Sequence, residues 1–538
     1  MPVPNYLALG AVLLLVTLYL LCLPRPIPGI PFRKNASRSI LGDMPAMAKH
    51  SRETGQVWDW IVSQTVSLNL PIVQVFARPL AKPWVILSDF RESQDILMRR
   101  TREFDRSTHA GEIFQGLLPD HHNSMLSTAP QFKTHRKLIQ DLMTTAFLNE
   151  VAAPRIYGAF AALCDLWVHK VRLSEGHPFS AYHDVERATL DAIWMAVFPL
   201  AQQDGLNARQ QQLLSTIPDM NTSMCASKDD PVEFPESPMP HAQQSILTLT
   251  QSLEISMKSP FPRLAHWFLR RRSYMREART YKENMIVREL EKAKLRFTGG
   301  LDGGQETRCA MDFVLRRELM SAAKEDRAPK HDTRMLFDEL FGLLVAGHDT
   351  TSSTTSWALK LLTDNPSVQR NLRSAMRAGF PEANAGQRWP TVLEIVKARI
   401  PYLDASQEEI FRRSIVQPFV ARQAAVNTVV LGHRVPKAKG RTGSWNSSDI
   451  HLFQPERWLR QEANEVVFDQ NAGPMLSFGL GPRACFARRM AYLEMKIALV
   501  LLVWNFEFQT VPTTLSSYEA VDKLTHQPVQ CYIRLRKL

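Results

Sequence analysis

Apolar and polar positions change their spacing several times along the chain, and each change marks an element. Tyr6 to Leu23, YLALGAVLLLVTLYLLCL, carries no charge and matches one bilayer crossing as a helix. LPRPIPGIPF follows, with prolines at 24, 26, 28 and 31, and proline fixes φ and removes donors. This stretch is therefore a stiff, non-helical spacer. Pro71 to Phe90 alternates as two short strands about a turn at Arg78–Lys82. Beyond it the spacing is mostly helical.

Tyr274 to Phe297 reads as a long charged helix. A second helix is expected from Thr333 to Asp364, ended by Pro366. A third, from Ala487 to Trp504, repeats apolar residues at Met490, Leu493, Ile497, Val500, Leu501 and Trp504. Pro231 to Pro240, PVEFPESPMP, reads as an exposed, proline-broken loop. Thr510 to Leu538 reads as strands and turns. The pattern predicts a mainly α fold with small β-sheets and an N-terminal transmembrane helix. Three parts are expected: an anchor over 1–23, a proline-rich hinge over 24–34, and one domain over 35–538.

Composition narrows the class. Hydrophobic residues make up 45% of 538 residues, enough for a sizeable core, and charged residues make up 22%. The six cysteines are scattered without C-x-x-C spacing, which excludes a disulfide framework and a zinc site. The net charge of +12 is dispersed, with no basic block interleaved by aromatics, so nucleic acid is not an expected partner. No basic residue precedes the apolar segment, while Arg25, Arg33 and Lys34 follow it. The positive-inside rule then keeps the remainder of the chain cytosolic.

Near the end stands FGLGPRACFARRM, a lone cysteine closing a glycine-rich loop just before a helix. A thiolate is a soft ligand for iron. Gly479 and Gly481 would let backbone approach a flat macrocycle. The following helix would direct its N–H groups at the sulfur, and Arg483 would meet an anion on the same ligand.

FGLGPRACFA resembles the haem-binding signature of the cytochrome P-450 family, F-x-x-G-x-R-x-C-x-G. Phe478, Gly481, Arg483 and Cys485 match it, and Ala487 stands at the usual glycine. AGHDTT (Ala346 to Thr351) resembles the family's oxygen-activation motif. Asp349 and its neighbouring hydroxyls are poor helix-interior residues, and those hydroxyls can bond one turn back. A carboxylate beside a hydroxyl in an apolar helix suits proton relay. The resemblance makes Asp349 and Thr350 that pair and leaves His348 a packing or hydrogen-bonding residue.

EIFR (Glu409 to Arg412) and FQPERW (Phe453 to Trp458) resemble the family's buried charge network, with Glu409, Arg412 and Arg457 as members. FKTHRKLI (Phe132 to Ile139) is similar to a segment that carries W-x-x-x-R in the family. By that resemblance Arg136 would meet a haem propionate, with Lys133 as an extra donor and Phe132 in place of the tryptophan.

The resemblance implies a membrane-anchored, fungal-type haem-thiolate monooxygenase. It would insert one oxygen atom from O2 into a lipophilic small molecule of secondary metabolism. Cys485 would be the axial ligand of haem b. NADPH would be used indirectly, through cytochrome P-450 reductase, because only about fifty residues follow Cys485 and a flavin domain does not fit in one short stretch. Arg136, Lys137, Arg488 and Arg489 are candidates for the reductase-facing surface. The expected location is the endoplasmic reticulum membrane, single-pass, with the catalytic domain cytosolic.

Two other readings stand beside this one. One is a haem-thiolate isomerase or dehydratase, against which the intact Asp349–Thr350 pair counts. The other is a catalytically impaired membrane-bound relative. The stretch from Lys437 to Phe453 is short for the family and lacks the β-branched run expected to supply a strand. Low stability or low haem occupancy is the expected consequence.

Overall fold

The computed structural model describes residues 3–198, 204–218, 225–297, 307–330, 333–431, 445, 449–463 and 465–538. The apolar N-terminal segment forms the helix Val3–Cys22 of 20 residues. At 1.5 Å per residue it is about 30 Å long, the thickness of a bilayer core. Leu13, Leu14, Leu15, Leu20 and Leu21 on it are all exposed. Among the described residues the one helical stretch that passes by length and apolarity for a membrane crossing, Phe147–Ser174, is mostly buried and belongs to the core, while Ala8–Cys22 is a shorter apolar stretch.

Strands Ile72–Val75 and Trp84–Leu87 pair antiparallel, Ile72 opposite Leu87 and Val75 opposite Trp84, about the expected turn. Among the described residues this hairpin has no third strand. The shortened stretch Lys437–Phe453 falls largely outside the described residues. The other sheets are small too. The largest has three strands, Phe179–Ser180, Tyr532–Lys537 and Phe506–Gln509, with Tyr532–Lys537 central.

Helices supply the bulk. Ser273–Arg296, Arg334–Asp364 and Arg488–Asn505 form where the spacing places them. The 31-residue helix Arg334–Asp364, hereafter the long helix, is capped by Thr333, whose hydroxyl accepts from the Leu336 N–H at 3.3 Å. It packs against Tyr182–Val197 (the Tyr182 helix), Pro401–Ser414 and Arg488–Asn505 (the cysteine helix). Gly347 makes the first of these contacts possible. A Cβ there would lie 2.6 Å from Ile193 Cγ1, so the space beside it is filled by the Tyr182 helix. Leu340, Phe160, Trp167 and Val500 are fully buried in this centre, each worth about 1.5–3 kcal/mol of burial.

Pro231 to Pro240 has no regular structure, as expected, but is not loose. Val232 is buried, and Gln210 holds the stretch at both Pro235 O (2.7 Å) and Ser237 N (2.7 Å).

Candidate haem site

The hydroxyl-rich middle of the long helix bonds back on itself. Thr350 donates to Ala346 O at 2.7 Å, Ser353 to Asp349 O at 2.8 Å and Thr354 to Thr350 O at 2.8 Å. His348 is hydrogen-bonded through Nδ1 to Leu344 O at 2.8 Å. Ala346 and Thr350, one turn apart, are exposed on a helix otherwise buried around them. That face is a gap in the packing of a core helix. Asp349 points the other way and is buried, and burial raises its carboxyl pKa.

Cys485 is exposed at the end of its loop. Its side chain is accessible, yet protein encloses the sulfur closely enough for burial to raise its pKa. It therefore lies in a hollow of the protein and not on an open face. The Ala487 N–H, Arg136 and Arg488 oppose that rise and favour a thiolate. The loop's glycines divide their work. Gly479 (φ +62°) has only ordinary contacts nearby. A Cβ on Gly481 (φ +70°) would lie 2.0 Å from Leu97 O. Gly481 thus serves close packing against the Leu97 backbone, not the approach to a macrocycle that the sequence suggests. Phe478 anchors the loop by edge-on packing on Phe411 at 4.9 Å.

Arg483 donates to Ser127 Oγ at 2.8 Å and His122 O at 3.0 Å, and also to Met125 O. Its guanidinium lies 4.0 Å over the Phe132 ring. The aromatic that replaces the expected tryptophan is the floor beneath this arginine. Burial, then repulsion from Arg106, Arg422 and Arg136, pushes Arg483 down to about 9, although Asp105 opposes it. Burial and Arg422 likewise push Arg106 down to about 10. Arg106 Nε is buried with no hydrogen-bond partner among the described residues.

Four arginines thus converge with Asp105 as the acidic group opposing Arg483, and that carboxylate also accepts the Ser127 and Thr128 N–H groups. Such a cluster fits a ligand that brings carboxylates of its own, as haem does. Arg106 and Arg422 escape sequence reasoning. They face each other across the short strands Phe104–Arg106 and Arg422–Ala424. Lys133, expected as a donor here, is exposed; on its helix, Pro130–Ile139, the buried positions are Phe132, His135, Leu138 and Ile139. Arg136 lies 4.6 Å over Phe486, beside the cysteine.

A second polar cluster secures the loop that Arg483 grips. Glu339 of the long helix, fully buried, accepts from His122 N and Nδ1 (2.8 and 2.7 Å) and His135 Nδ1 (2.8 Å). His121 Nε2 lies 3.4 Å away. Burial opposes ionisation of Glu339, but the three imidazoles outweigh it and hold its pKa far below the usual carboxylate range. His121 fits because Gly342 has no side chain; a Cβ would lie 2.3 Å from the ring. His121 Nδ1 already accepts the Asn123 N–H at 3.1 Å, and the distances are those of hydrogen bonds. The cluster is a clamp between the long helix and the His121–His122 loop.

Glu409, Arg412 and Arg457 come together as the sequence suggests. Arg412 grips Glu409 with both arms at 2.8 and 2.7 Å, and Arg457 Nε reaches it at 3.2 Å. Of the four basic residues proposed to face a reductase, Lys137 and Arg489 are exposed. Arg136 and Arg488 are half-buried and turned inward, Arg488 toward Phe478 and Tyr492.

The fold and this site define a haem-thiolate oxidoreductase. The family model for cytochrome P450 matches residues 70–528, and the chain belongs to that family. It is 35% identical over 578 residues to the cytochrome P450 monooxygenase TRI13 of Fusarium sporotrichioides, covering 98% of each chain. It is 34% identical to the cytochrome P450 monooxygenase GME11363 of Pestalotiopsis microspora, covering 98% of this chain and 97% of that one. It is 32% identical to the cytochrome P450 monooxygenase xilC of Penicillium rubens, covering 99% and 96%. As a member it is a monooxygenase with haem iron as cofactor, taking electrons through a redox partner and acting on a small molecule. The 578 aligned positions exceed this chain's 538 residues, so the Fusarium relative carries residues that this chain lacks.

Proposed function

We propose that this chain is a membrane-anchored monooxygenase of fungal secondary metabolism. It inserts one oxygen atom from O2 into a lipophilic small molecule, with electrons from an NADPH-dependent reductase. The observation that carries the reading is the pairing of Thr350 and Asp349. Thr350 is exposed on an otherwise buried helix, with a buried acid beside it in sequence. An isomerase has no need of that pair.

Cys485 would hold the haem iron, and Arg483, Arg106, Arg422 and Arg136 would meet its carboxylates. Bound there, the haem would supply oxygen activation, with the thiolate's electron density favouring O–O cleavage. The protein's own part is proton supply and exclusion of water. Thr350 holds a hydroxyl toward the hollow, and Asp349 takes up protons from the other side of the helix.

Thr350→Ala is expected to leave haem binding intact and to lower product formed per NADPH consumed by about tenfold or more. Hydrogen peroxide release rises to match. Product and peroxide measured against NADPH check this; an unchanged ratio makes Thr350 only structural.

The anchor places the protein on the endoplasmic reticulum membrane, with the catalytic domain in the cytosol. A second surface supports lipid contact. The helix Pro262–Leu269 exposes Leu264, Trp267 and Phe268, and Arg270, Arg271 and Arg272 follow it. Apolar residues beside basic ones suit an anionic bilayer surface. Deleting residues 1–23 is therefore expected to remove most, but not all, binding in vesicle co-sedimentation. Complete solubility without detergent would assign membrane attachment to the N-terminal helix alone.

A further inference from the structure

Asp349 is tied to a chain of side chains that leads away from the hollow. Its Oδ1 accepts from Gln527 Nε2 at 3.0 Å. The same amide nitrogen donates to Thr525 Oγ1 at 3.1 Å, and Thr525 is hydrogen-bonded to Ser353 Oγ at 2.7 Å. Gln527 Oε1 accepts from the Tyr182 hydroxyl at 2.7 Å, and Lys523 Nζ donates to that hydroxyl at 3.3 Å. Asp349 and Gln527 are buried, whereas Tyr182 and Lys523 are half-buried. Asp349 Oδ2 is buried and has no hydrogen-bond partner among the described residues.

We propose that Gln527, Tyr182 and Lys523 are positioning residues for proton uptake by Asp349. They pin Oδ1 as an acceptor and leave Oδ2 as the single oxygen that takes up a proton and passes it on. This rests on the monooxygenase reading. Reduction of O2 with insertion of one atom consumes two electrons, which NADPH supplies through the reductase, and two protons, which form water with the second oxygen atom. Tyr182 fixes the amide. With its O–H directed at Oε1, the NH2 end must face Asp349 and Thr525. Without that O–H the amide is free to turn and present its oxygen to Asp349, which favours a protonated carboxyl.

Other titratable groups around this chain are His348 on the long helix, Glu186 and His183 on the Tyr182 helix, and Glu254. Burial works against ionisation of Glu186, but His183, His348 and Lys523 outweigh it and keep its pKa low. Burial and Glu186 oppose ionisation of Asp349, while His348, the Thr525 hydroxyl and Lys523 favour it. The signs then follow. The Gln527 N–H stabilises the ionised carboxylate, so its loss raises the Asp349 pKa. Turning the amide, or removing the Lys523 cation, acts in the same direction.

The test is an infrared pH titration of the haem-loaded protein, with the Asp349 carboxyl band identified by its loss in Asp349→Asn. In Gln527→Leu the protonated band should persist to a pH about one unit higher than in the parent. Tyr182→Phe and Lys523→Gln should shift it the same way by less. The pH profile of product per NADPH should move with the band. Parent-like titration in both Gln527→Leu and Tyr182→Phe overturns the proposal. If Gln527→Leu fails to fold, Tyr182→Phe, which removes one oxygen atom, decides alone. The band reads the carboxyl and needs no turnover. Failure of the monooxygenase reading would instead show as a missing thiolate spectrum in the parent.

Discussion

Cys485→Ser is expected to abolish the absorption band of the reduced, carbon monoxide-bound thiolate haem and to take NADPH-dependent product below detection. The reason lies in the ligand atom. A serine hydroxyl is a hard, weakly acidic group and does not supply a thiolate's electron density to iron. The surroundings of Cys485 suit a thiolate specifically. Burial pushes the thiol pKa up, and the Ala487 N–H with Arg136 and Arg488 pulls it back. Bound iron would complete the deprotonation, because a metal ligates the thiolate and not the thiol. The fold does not depend on the sulfur. Phe478 packs on Phe411, and the Cys485 N–H donates to Phe478 O at 2.7 Å, a bond serine keeps. Circular dichroism and thermal midpoint should therefore stay near the parent while the band disappears. Product retained by this variant would end the haem-thiolate reading.

How much of this was legible depends on how local each feature is. The long helix could be read because its apolar spacing, its Thr333 cap and the proline after Asp364 all lie within one stretch. The Cys485 loop and the EIFR and PERW segments were legible for the same reason: each is a short run of unusual residue types. Arg106 and Arg422 were not. Each sits in a three-residue strand, and only the register between distant segments brings them together. The Glu339 clamp draws on the long helix, the His121–His122 loop and the Arg136 helix, and no spacing in any one of them signals it. Gly481 shows the converse. It was read as room for a macrocycle, but the atom that excludes a side chain there, Leu97 O, lies almost four hundred residues away. Lys133 looked like a donor by sequence position alone, and helix geometry turned it outward.

Glu409→Ala is expected to cost the most stability of any single change in the charge network. Glu409 is fully buried, and both carboxylate oxygens are engaged. Beyond Arg412 and Arg457, it accepts the Gln454 N–H at 2.9 Å and the Trp458 indole N–H at 2.9 Å. The indole is a detail of this chain, since the tryptophan that ends FQPERW brings a donor that a phenylalanine lacks. Trp458 is itself fully buried. Removing the carboxylate leaves two arginines and two N–H donors without their shared acceptor. The arginines keep some partners: Ile450 O and Leu452 O for Arg412, and Asp449 O, the Gln454 amide oxygen and the exposed Asp449 carboxylate at 3.6 Å for Arg457. Arg412 is left with neutral acceptors only among these, and the one remaining carboxylate does not offset both charges. A broken buried pair costs roughly 3–5 kcal/mol. The loss reaches the site because this helix also holds the cysteine loop, through the Ser477 hydroxyl on Phe411 O at 2.9 Å. The expected result is a cooperative loss of thermal midpoint and of haem per protein together. Glu409→Gln should be milder, keeping one carbonyl acceptor while losing the charge. Arg412→Lys should fall between them, because an ammonium does not reproduce the two-armed grip. Denaturation and haem content measured on the three variants would check the order. A parent-like Glu409→Ala would mean that the arginines find sufficient partners in the backbone carbonyls, Gln454 and Asp449.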